Sequence, residues 1–126
     1  MMIQKIKQIE NIQIPVKDLE ESVNWYQNVL GFKEVGRENK DLAFLALESG
    51  NHINLWRTGD HSTINFTRNG EEMAAFVMVT EDIEHLKKEL EHNDVDILWY
   101  SNEGFATGMK FKDPTGNLML VLEYKK

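Results

Sequence analysis

The sequence predicts an α+β fold in which a strand, a helix and three further strands occur twice along the chain. Two stretches support this prediction. Residues 12–32 (IQIPVKDLEESVNWYQNVLGF) have the pattern of a buried strand, an amphipathic helix and a glycine that ends the helix. Residues 111–123 (FKDPTGNLMLVLE) have the pattern of a strand, a tight turn and a final apolar strand.

The first half of the chain contains the first strand–helix–three-strand unit. Ile12 and Ile14 share one face of the opening strand, and Asn11 and Gln13 share the other. Asp18 has the position of a helix N-cap, and Gly31 is the residue that ends the helix. The buried stripe over residues 19–30 consists of Leu19, Val23, Tyr26 and Leu30. Three strands are expected at residues 32–36, 42–47 and 52–57.

The second half repeats the order of elements with little identity between the two halves. Residues 59–72 are polar and contain two turn signals, which predicts a linker. Residues 74–79 are expected to form a buried strand, and Thr80 is expected to cap the helix that follows. Ile83, Leu86 and Leu90 form the apolar stripe of this helix. The remaining strands are predicted at residues 95–100, 106–112 and 118–124.

The composition limits the classes of function. A chain of 126 residues is long enough for one domain with one core. The net charge of −7 argues against a nucleic-acid partner, because phosphate binding requires a basic surface. No apolar run approaches the roughly 20 residues that cross a bilayer, so no membrane partner is expected. The absence of cysteine favours a cytoplasmic location.

These motifs resemble the glyoxalase / bleomycin-resistance / dioxygenase family of the vicinal oxygen chelate superfamily, and the resemblance covers most of the chain. It implies one domain over residues 1–126, with module one at about 7–58, a linker at about 59–72 and module two at about 73–125. Each module would be a strand–helix–three-strand unit, and the two would form a curved mixed sheet around a cavity. The resemblance also implies a homodimer.

Enzymes of this family hold a divalent cation in the cavity with His and Glu side chains. The resemblance places the corresponding positions of this chain at Asn11, Asn54, Ala75 and Leu120. Amide oxygens are weak ligands by themselves, and Ala and Leu side chains donate nothing to a metal. We therefore expect no metal, no other cofactor and no catalytic residue at these positions.

The same cavity is expected to bind a ligand through polar and stacking contacts from module one and an apolar wall from module two. The candidate residues are Asn11, Gln13, Asn54, Trp56, Ala75, Phe111, Leu118 and Leu120. Two alternatives remain open from the sequence. The two asparagines are either ligand contacts or cavity residues satisfied by water and by each other. Trp56 and Phe111 are either ligand contacts or ordinary core residues.

The resulting functional hypothesis is metal-independent binding or sequestration of a small, partly aromatic molecule, as in bleomycin-resistance-type proteins. The alternative is a metal-dependent lyase, isomerase or dioxygenase with relocated ligands, which would need at least three convergent donors, for example His52 with Glu48 or Glu123. No pair of histidines has metal-binding spacing, so the sequence gives no support for such a site. A third hypothesis is a family member that serves mainly in protein–protein contacts.

Overall fold

In the computed structural model, which describes residues 3–126, the two predicted modules are present and are separated by a short hairpin. Module one comprises β1 (Ile12–Val16), α1 (Leu19–Asn28), β2 (Lys33–Asn39), β3 (Leu42–Ala46) and β4 (His52–Arg57). The hairpin comprises β5 (Phe66–Arg68) and β6 (Glu71–Met73). Module two comprises β7 (Val77–Val79), α2 (Ile83–His92), β8 (Trp99–Asn102), β9 (Ala106–Lys112) and β10 (Leu118–Tyr124).

The two modules have the same sheet topology. The strand order is β1-β4-β3-β2 in module one and β7-β10-β9-β8 in module two. In each sheet the first strand pairs in parallel with the last strand of its module, and the other pairings are antiparallel. The repeat that the sequence showed only as an order of elements is therefore a repeat of topology.

Each helix covers one face of the sheet in its own module, and the core lies between helix and sheet. Alternation along the strands sends one set of side chains to the helix and the other set to the opposite face. In module one, Ile14, Leu45 and Leu55 are fully buried on the helix side. In module two, Met109 and Phe111 have the same position and are also fully buried.

The ends of α1 follow the predicted chemistry. The Asp18 carboxylate accepts a hydrogen bond from the Glu21 backbone N–H at 3.0 Å. Gly31 has a φ of +83°, and the Phe32 N–H donates to the Tyr26 carbonyl at 3.1 Å. This is the closure of a Schellman-type end, which needs a left-handed residue and therefore favours glycine. The helix ends at Asn28, two residues earlier than predicted, and the Val29 N–H still donates to the Trp25 carbonyl at 2.8 Å.

A buried polar network joins the two modules at the turn between β9 and β10. The Asp113 carboxylate accepts hydrogen bonds from the Tyr26 hydroxyl at 2.7 Å and from the Asn117 side-chain amide at 2.8 Å. The same Asn117 amide donates to the Pro15 carbonyl at 2.9 Å, and its oxygen accepts from the Ile64 N–H at 2.8 Å. Since Tyr26 and Pro15 belong to module one, this turn fixes the relative position of the modules.

Several further predicted elements differ from the structure. The predicted linker contains the β5–β6 hairpin, whose two strands were not predicted; its turn is formed by Asn69 and Gly70, which both have positive φ. The strand predicted at residues 95–100 begins only at Trp99. The N-cap of α2 is Asp82 and not Thr80, because the Asp82 carboxylate accepts from the His85 N–H at 3.0 Å.

The strand predicted at residues 74–79 is shorter and more exposed than expected. It begins at Val77, and the side chains of Val77 and Val79 are 51% and 63% exposed. The reason is its place at the edge of the module-two sheet, where β10 is its one neighbouring strand among residues 3–126. Neither helix within residues 3–126 has the length and apolar character needed to span a bilayer.

Candidate ligand-binding site

Module one presents a group of polar and aromatic side chains on the sheet face that is opposite α1. Gln13 and Asn54 are direct partners in the parallel ladder between β1 and β4, so their side chains lie next to each other on one face. Trp56 lies two residues further along β4 on the same face. The burial pattern agrees, since Ile14 and Leu55 on the other face are fully buried whereas Trp56 is 41% exposed.

These three side chains, which we call the amide–indole cluster, are connected by hydrogen bonds. The Gln13 side-chain oxygen accepts from the Asn54 amide at 3.4 Å and from the Trp56 indole N–H. Within residues 3–126, neither the Gln13 amide N–H groups nor the Asn54 side-chain oxygen makes another hydrogen bond. The cluster is therefore held in place by its own contacts and still presents a donor and an acceptor beside an indole ring.

Asn11 does not belong to this cluster, although it has the same alternation along the chain. It lies one residue before β1 and lines a separate cavity of about 570 Å³, together with His52. This cavity lies where the start of β1 and β4 meets β7, and its module-two wall is formed by residues 76–79. The structure thus divides the predicted module-one residues between two places, with Asn11 in one and Gln13, Asn54 and Trp56 in the other.

Module two presents a mainly apolar surface on the face opposite α2. Leu120 is the ladder partner of Val77 on one side and of Lys110 on the other, and Lys110 is the partner of Trp99. Leu122 is likewise paired with Val79 and with Gly108. We call this surface the module-two platform; its residues are Val77, Val79, Trp99, Gly108, Lys110, Leu120 and Leu122.

Three of the predicted apolar residues have different surroundings. Leu118 shares the platform face and is 4% exposed. Ala75 is exposed and lies in the irregular segment before β7. Phe111 is on the helix side, fully buried, with its ring centroid 6.2 Å from that of Trp25. The structure therefore corrects the assignment of Phe111, which is a core residue and is excluded from the site.

Charged groups at the edge of the platform differ in their pairing. The Lys112 ammonium lies 2.9 Å from the Glu72 carboxylate of the hairpin. The hydrogen bond from Lys112, with a second from Asn65, lowers the pKa of Glu72. Lys110 lies two residues earlier on the same face and makes no ion pair with any residue of the described part of the chain.

The family is shown by the sequence. The model of the Glyoxalase/Bleomycin resistance protein/Dioxygenase superfamily matches residues 7–121. The chain belongs to this superfamily. No curated protein matches the sequence.

Solved structures of the superfamily fold are similar over nearly the whole chain. TnmS3, an antibiotic binding protein from Streptomyces sp. CB03234, has a TM-score of 0.80 and 16% identity, with 98% of this chain and 100% of that chain covered. A lactoylglutathione lyase from Agrobacterium tumefaciens has a TM-score of 0.71 and 18% identity, with 95% and 96% covered. An integron cassette protein from the Halifax Harbour sewage outfall metagenome has a TM-score of 0.73 and 25% identity, with 94% and 99% covered.

The divalent cation implied by the superfamily does not fit the donors of this chain. Of the four positions named above, Asn54 belongs to the amide–indole cluster, Asn11 lines the separate cavity, and the side chains of Ala75 and Leu120 have no donor atom. Within residues 3–126, no three His, Cys, Asp or Glu side chains come together in a way that would hold a metal ion. Glu123, considered for a relocated site, instead accepts a hydrogen bond from the Ile83 N–H at the start of α2.

Sequence reasoning missed Lys110 and the two exposed valines of β7. The signal for Lys110 was present in the alternation of β9, where Gly108, Lys110 and Lys112 occupy one face and Met109 and Phe111 the other. The exposure of Val77 and Val79 had no such signal, because a run of apolar residues does not reveal which face remains uncovered.

Proposed function

We propose that this member of the superfamily binds or sequesters a small, partly aromatic molecule and does so without a metal ion. The observation that carries the proposal is the amide–indole cluster. Its indole ring offers a stacking surface, and the free N–H groups of Gln13 and the free oxygen of Asn54 offer one donor and one acceptor site. A few fixed polar groups beside an aromatic surface are the usual means of orienting a small ligand. TnmS3, a similar structure, is an antibiotic binding protein, which supports a function of this class.

The absence of suitable donors supports a metal-independent mode of binding. Two neutral amides do not supply the imidazole and carboxylate ligands that hold zinc, nickel or iron in proteins. Elemental analysis of the purified protein tests this part of the proposal. We expect less than stoichiometric zinc, nickel, manganese and iron; a stoichiometric amount of any of them would favour the metal-dependent lyase or dioxygenase instead.

Ligand binding is tested by a thermal-shift screen of flat aromatic and glycopeptide-like compounds, followed by titration of a hit by tryptophan fluorescence. A compound present at about 100 times its dissociation constant stabilises the folded state by about 2.7 kcal/mol, which gives a clear shift in Tm. Gln13→Ala and Trp56→Leu should each lower the affinity for the hit about fivefold or more, since a lost hydrogen bond or stacking contact costs about 1 kcal/mol or more.

Gln8→Ala is the matched control, because Gln8 is exposed in the segment before β1 and lies outside the cluster. Its affinity for the hit should equal that of the wild type. A screen without any stabilising compound would count against the proposal. Unchanged affinity in both cluster variants would also overturn it.

We further propose that the protein acts as a cytoplasmic homodimer. The support is the exposure of Val77 and Val79, which are 51% and 63% exposed on β7 at the edge of the module-two sheet. A second copy that packed against this edge would remove apolar surface from water. Light scattering coupled to size exclusion should give twice the chain mass, and Val79→Glu should shift the protein toward the monomer. Lys88→Glu on the exposed side of α2 is the control, and equal dimer fractions in both variants would contradict this interface.

A further inference from the structure

The module-two platform contains one charged side chain, and its surroundings are specific. The Trp99 ring lies across Gly108: a Cβ atom at Gly108 would come within 2.6 Å of Cζ3 of Trp99. Glycine at this position therefore allows the indole to lie close against the sheet. The Lys110 ammonium lies 5.2 Å from the centroid of the same ring.

Lys112 has a carboxylate partner for its charge, and Lys110 has none among residues 3–126. The two residues are on the same strand and the same face, and Lys112 is paired with Glu72 at 2.9 Å. Lys110 is half-buried and has only the Trp99 ring as an electrostatic partner among residues 3–126. The chain as a whole has a net charge of −7, so carboxylates are plentiful and none of those described pairs with Lys110.

An ammonium group that is partly removed from water and lacks a carboxylate partner attracts an anion more strongly than a fully solvated one. The cation–π contact with Trp99 holds the ammonium in place without neutralising it. An aromatic anion that packed on the apolar residues Leu120 and Leu122 would bring its negative group to Lys110 and its ring to the indole of Trp99.

We propose that the ligand is a flat aromatic molecule that carries a negative group, such as a carboxylate or a sulfonate, and that Lys110 and Trp99 bind this negative end. The inference rests on the proposed small-molecule function and adds the charge of the ligand to it. Lys110 acts as the residue that selects anionic over neutral aromatic compounds, and the platform supplies the apolar contacts common to both.

The experiment compares two fluorescent probes that share one ring system and differ by one sulfonate group. 8-Anilino-1-naphthalenesulfonate carries one sulfonate, and N-phenyl-1-naphthylamine has the same ring system without it. Dissociation constants for both are measured with the full chain and with Lys110→Met, Lys110→Arg and Lys112→Met. The far-UV circular dichroism spectrum of each variant is compared with that of the wild type.

We expect Lys110→Met to lower the affinity for the sulfonate probe about tenfold, which corresponds to the loss of one charged hydrogen bond. Its affinity for the neutral probe should stay within about twofold of the wild-type value. Lys110→Arg should retain the wild-type preference because it keeps the charge. Lys112→Met should leave both probes unchanged, since the Lys112 charge is already paired. The affinity of the sulfonate probe for the wild type should also fall with added salt, and that of Lys110→Met should not.

Three outcomes would overturn the inference: an unchanged ratio of the two affinities in Lys110→Met, an equal effect of Lys112→Met, or a wild type that binds both probes equally. In each of these cases the proposed function would still stand if the wild type binds the neutral probe and Trp56→Leu lowers its affinity for that probe. Failure of both probes to bind the wild type would overturn the proposed function together with this inference.

Discussion

Tyr26 connects α1 of module one to the turn between β9 and β10 in module two. Its ring packs against Trp25 and Phe32, and its hydroxyl donates to the Asp113 carboxylate at 2.7 Å. The side chain is fully buried, so the hydroxyl has no access to water that would replace this bond. The hydrogen bond thus satisfies a buried polar group and ties the two modules together at one point.

The first prediction concerns this single hydroxyl. Tyr26→Phe keeps the ring and removes the donor, which should lower the free energy of unfolding by about 1–3 kcal/mol because the Asp113 carboxylate loses a buried partner. Urea denaturation gives the value. Tyr124→Phe is the control: Tyr124 is 53% exposed and its change should stay within about 0.5 kcal/mol. Equal losses in the two variants would contradict the role assigned to the buried hydroxyl.

The second prediction is a pH dependence from the same residue. Burial, followed by the charge and the hydrogen bond of Asp113, raises the pKa of Tyr26 well above its ordinary value of 10.0. The unfolded chain therefore releases this proton near pH 10 while the folded chain keeps it, and the folded state binds more protons. Stability from this group is complete below pH 10 and falls as the pH rises further.

The unfolding free energy measured between about pH 9 and about pH 11 should consequently decline less steeply in Tyr26→Phe than in the wild type, because phenylalanine has no proton to release. Lysine titration contributes equally to both proteins and cancels in the comparison. Identical slopes would show that Tyr26 keeps an ordinary pKa in the folded state.

The helices show how local sequence rules place an element and where they err. Both helices begin with an aspartate whose carboxylate accepts a hydrogen bond from the backbone N–H three residues later. For α1 this residue is Asp18, as predicted. For α2 the predicted cap was Thr80, but Thr80 accepts from the Asp82 N–H at 3.3 Å and Asp82 caps the helix.

The third prediction tests the assignment of Asp82. Asp82→Ala should lower the free energy of unfolding by about 1 kcal/mol, since an N–H of the first turn of α2 loses its acceptor. Glu81→Ala is the neighbouring control, because Glu81 is exposed and lies outside the helix; its effect should be within about 0.5 kcal/mol. Chemical denaturation distinguishes them, and a larger loss in the Glu81 variant would refute the cap.

At the scale of the whole molecule, the modules are joined by contacts that come from distant parts of the chain. Asn117 is fully buried and makes hydrogen bonds with Pro15, Ile64 and Asp113. These partners belong to module one, to the linker and to the β9–β10 turn. One side chain therefore connects three segments, and its removal would break a hydrogen bond to each of them.

The fourth prediction follows from this connection. Asn117→Ala removes three buried hydrogen bonds at about 1 kcal/mol each, so the free energy of unfolding should fall by about 3 kcal/mol. Unfolding should remain one transition, with coincident curves from circular dichroism and tryptophan fluorescence. Asn24→Ala, on the exposed side of α1, is the control. Two separated transitions in the wild type would show that the modules unfold independently.

A large part of the fold could be predicted from the sequence, because it depends on local patterns. The alternation around Ile14 places Gln13 on the opposite strand face, and the spacing of Val23 and Tyr26 places both in the core. The order of elements and the left-handed conformation of Gly31 follow from the same kind of evidence. The candidate site could be predicted less completely, since Gln13, Asn54 and Trp56 lie together whereas Asn11 and Phe111 lie elsewhere.

The sequence by itself determined which residues share a strand face, because the period of two along a strand is a property of the backbone. Only the tertiary structure decided which face is covered by a helix, and that choice put Phe111 in the core and left Val77 exposed. It also decided that Lys112 pairs with Glu72 while Lys110 lies over the Trp99 ring. These pairings join residues that are far apart in the chain, and the distance between such residues depends on how the hairpin and the modules pack, which no local pattern records.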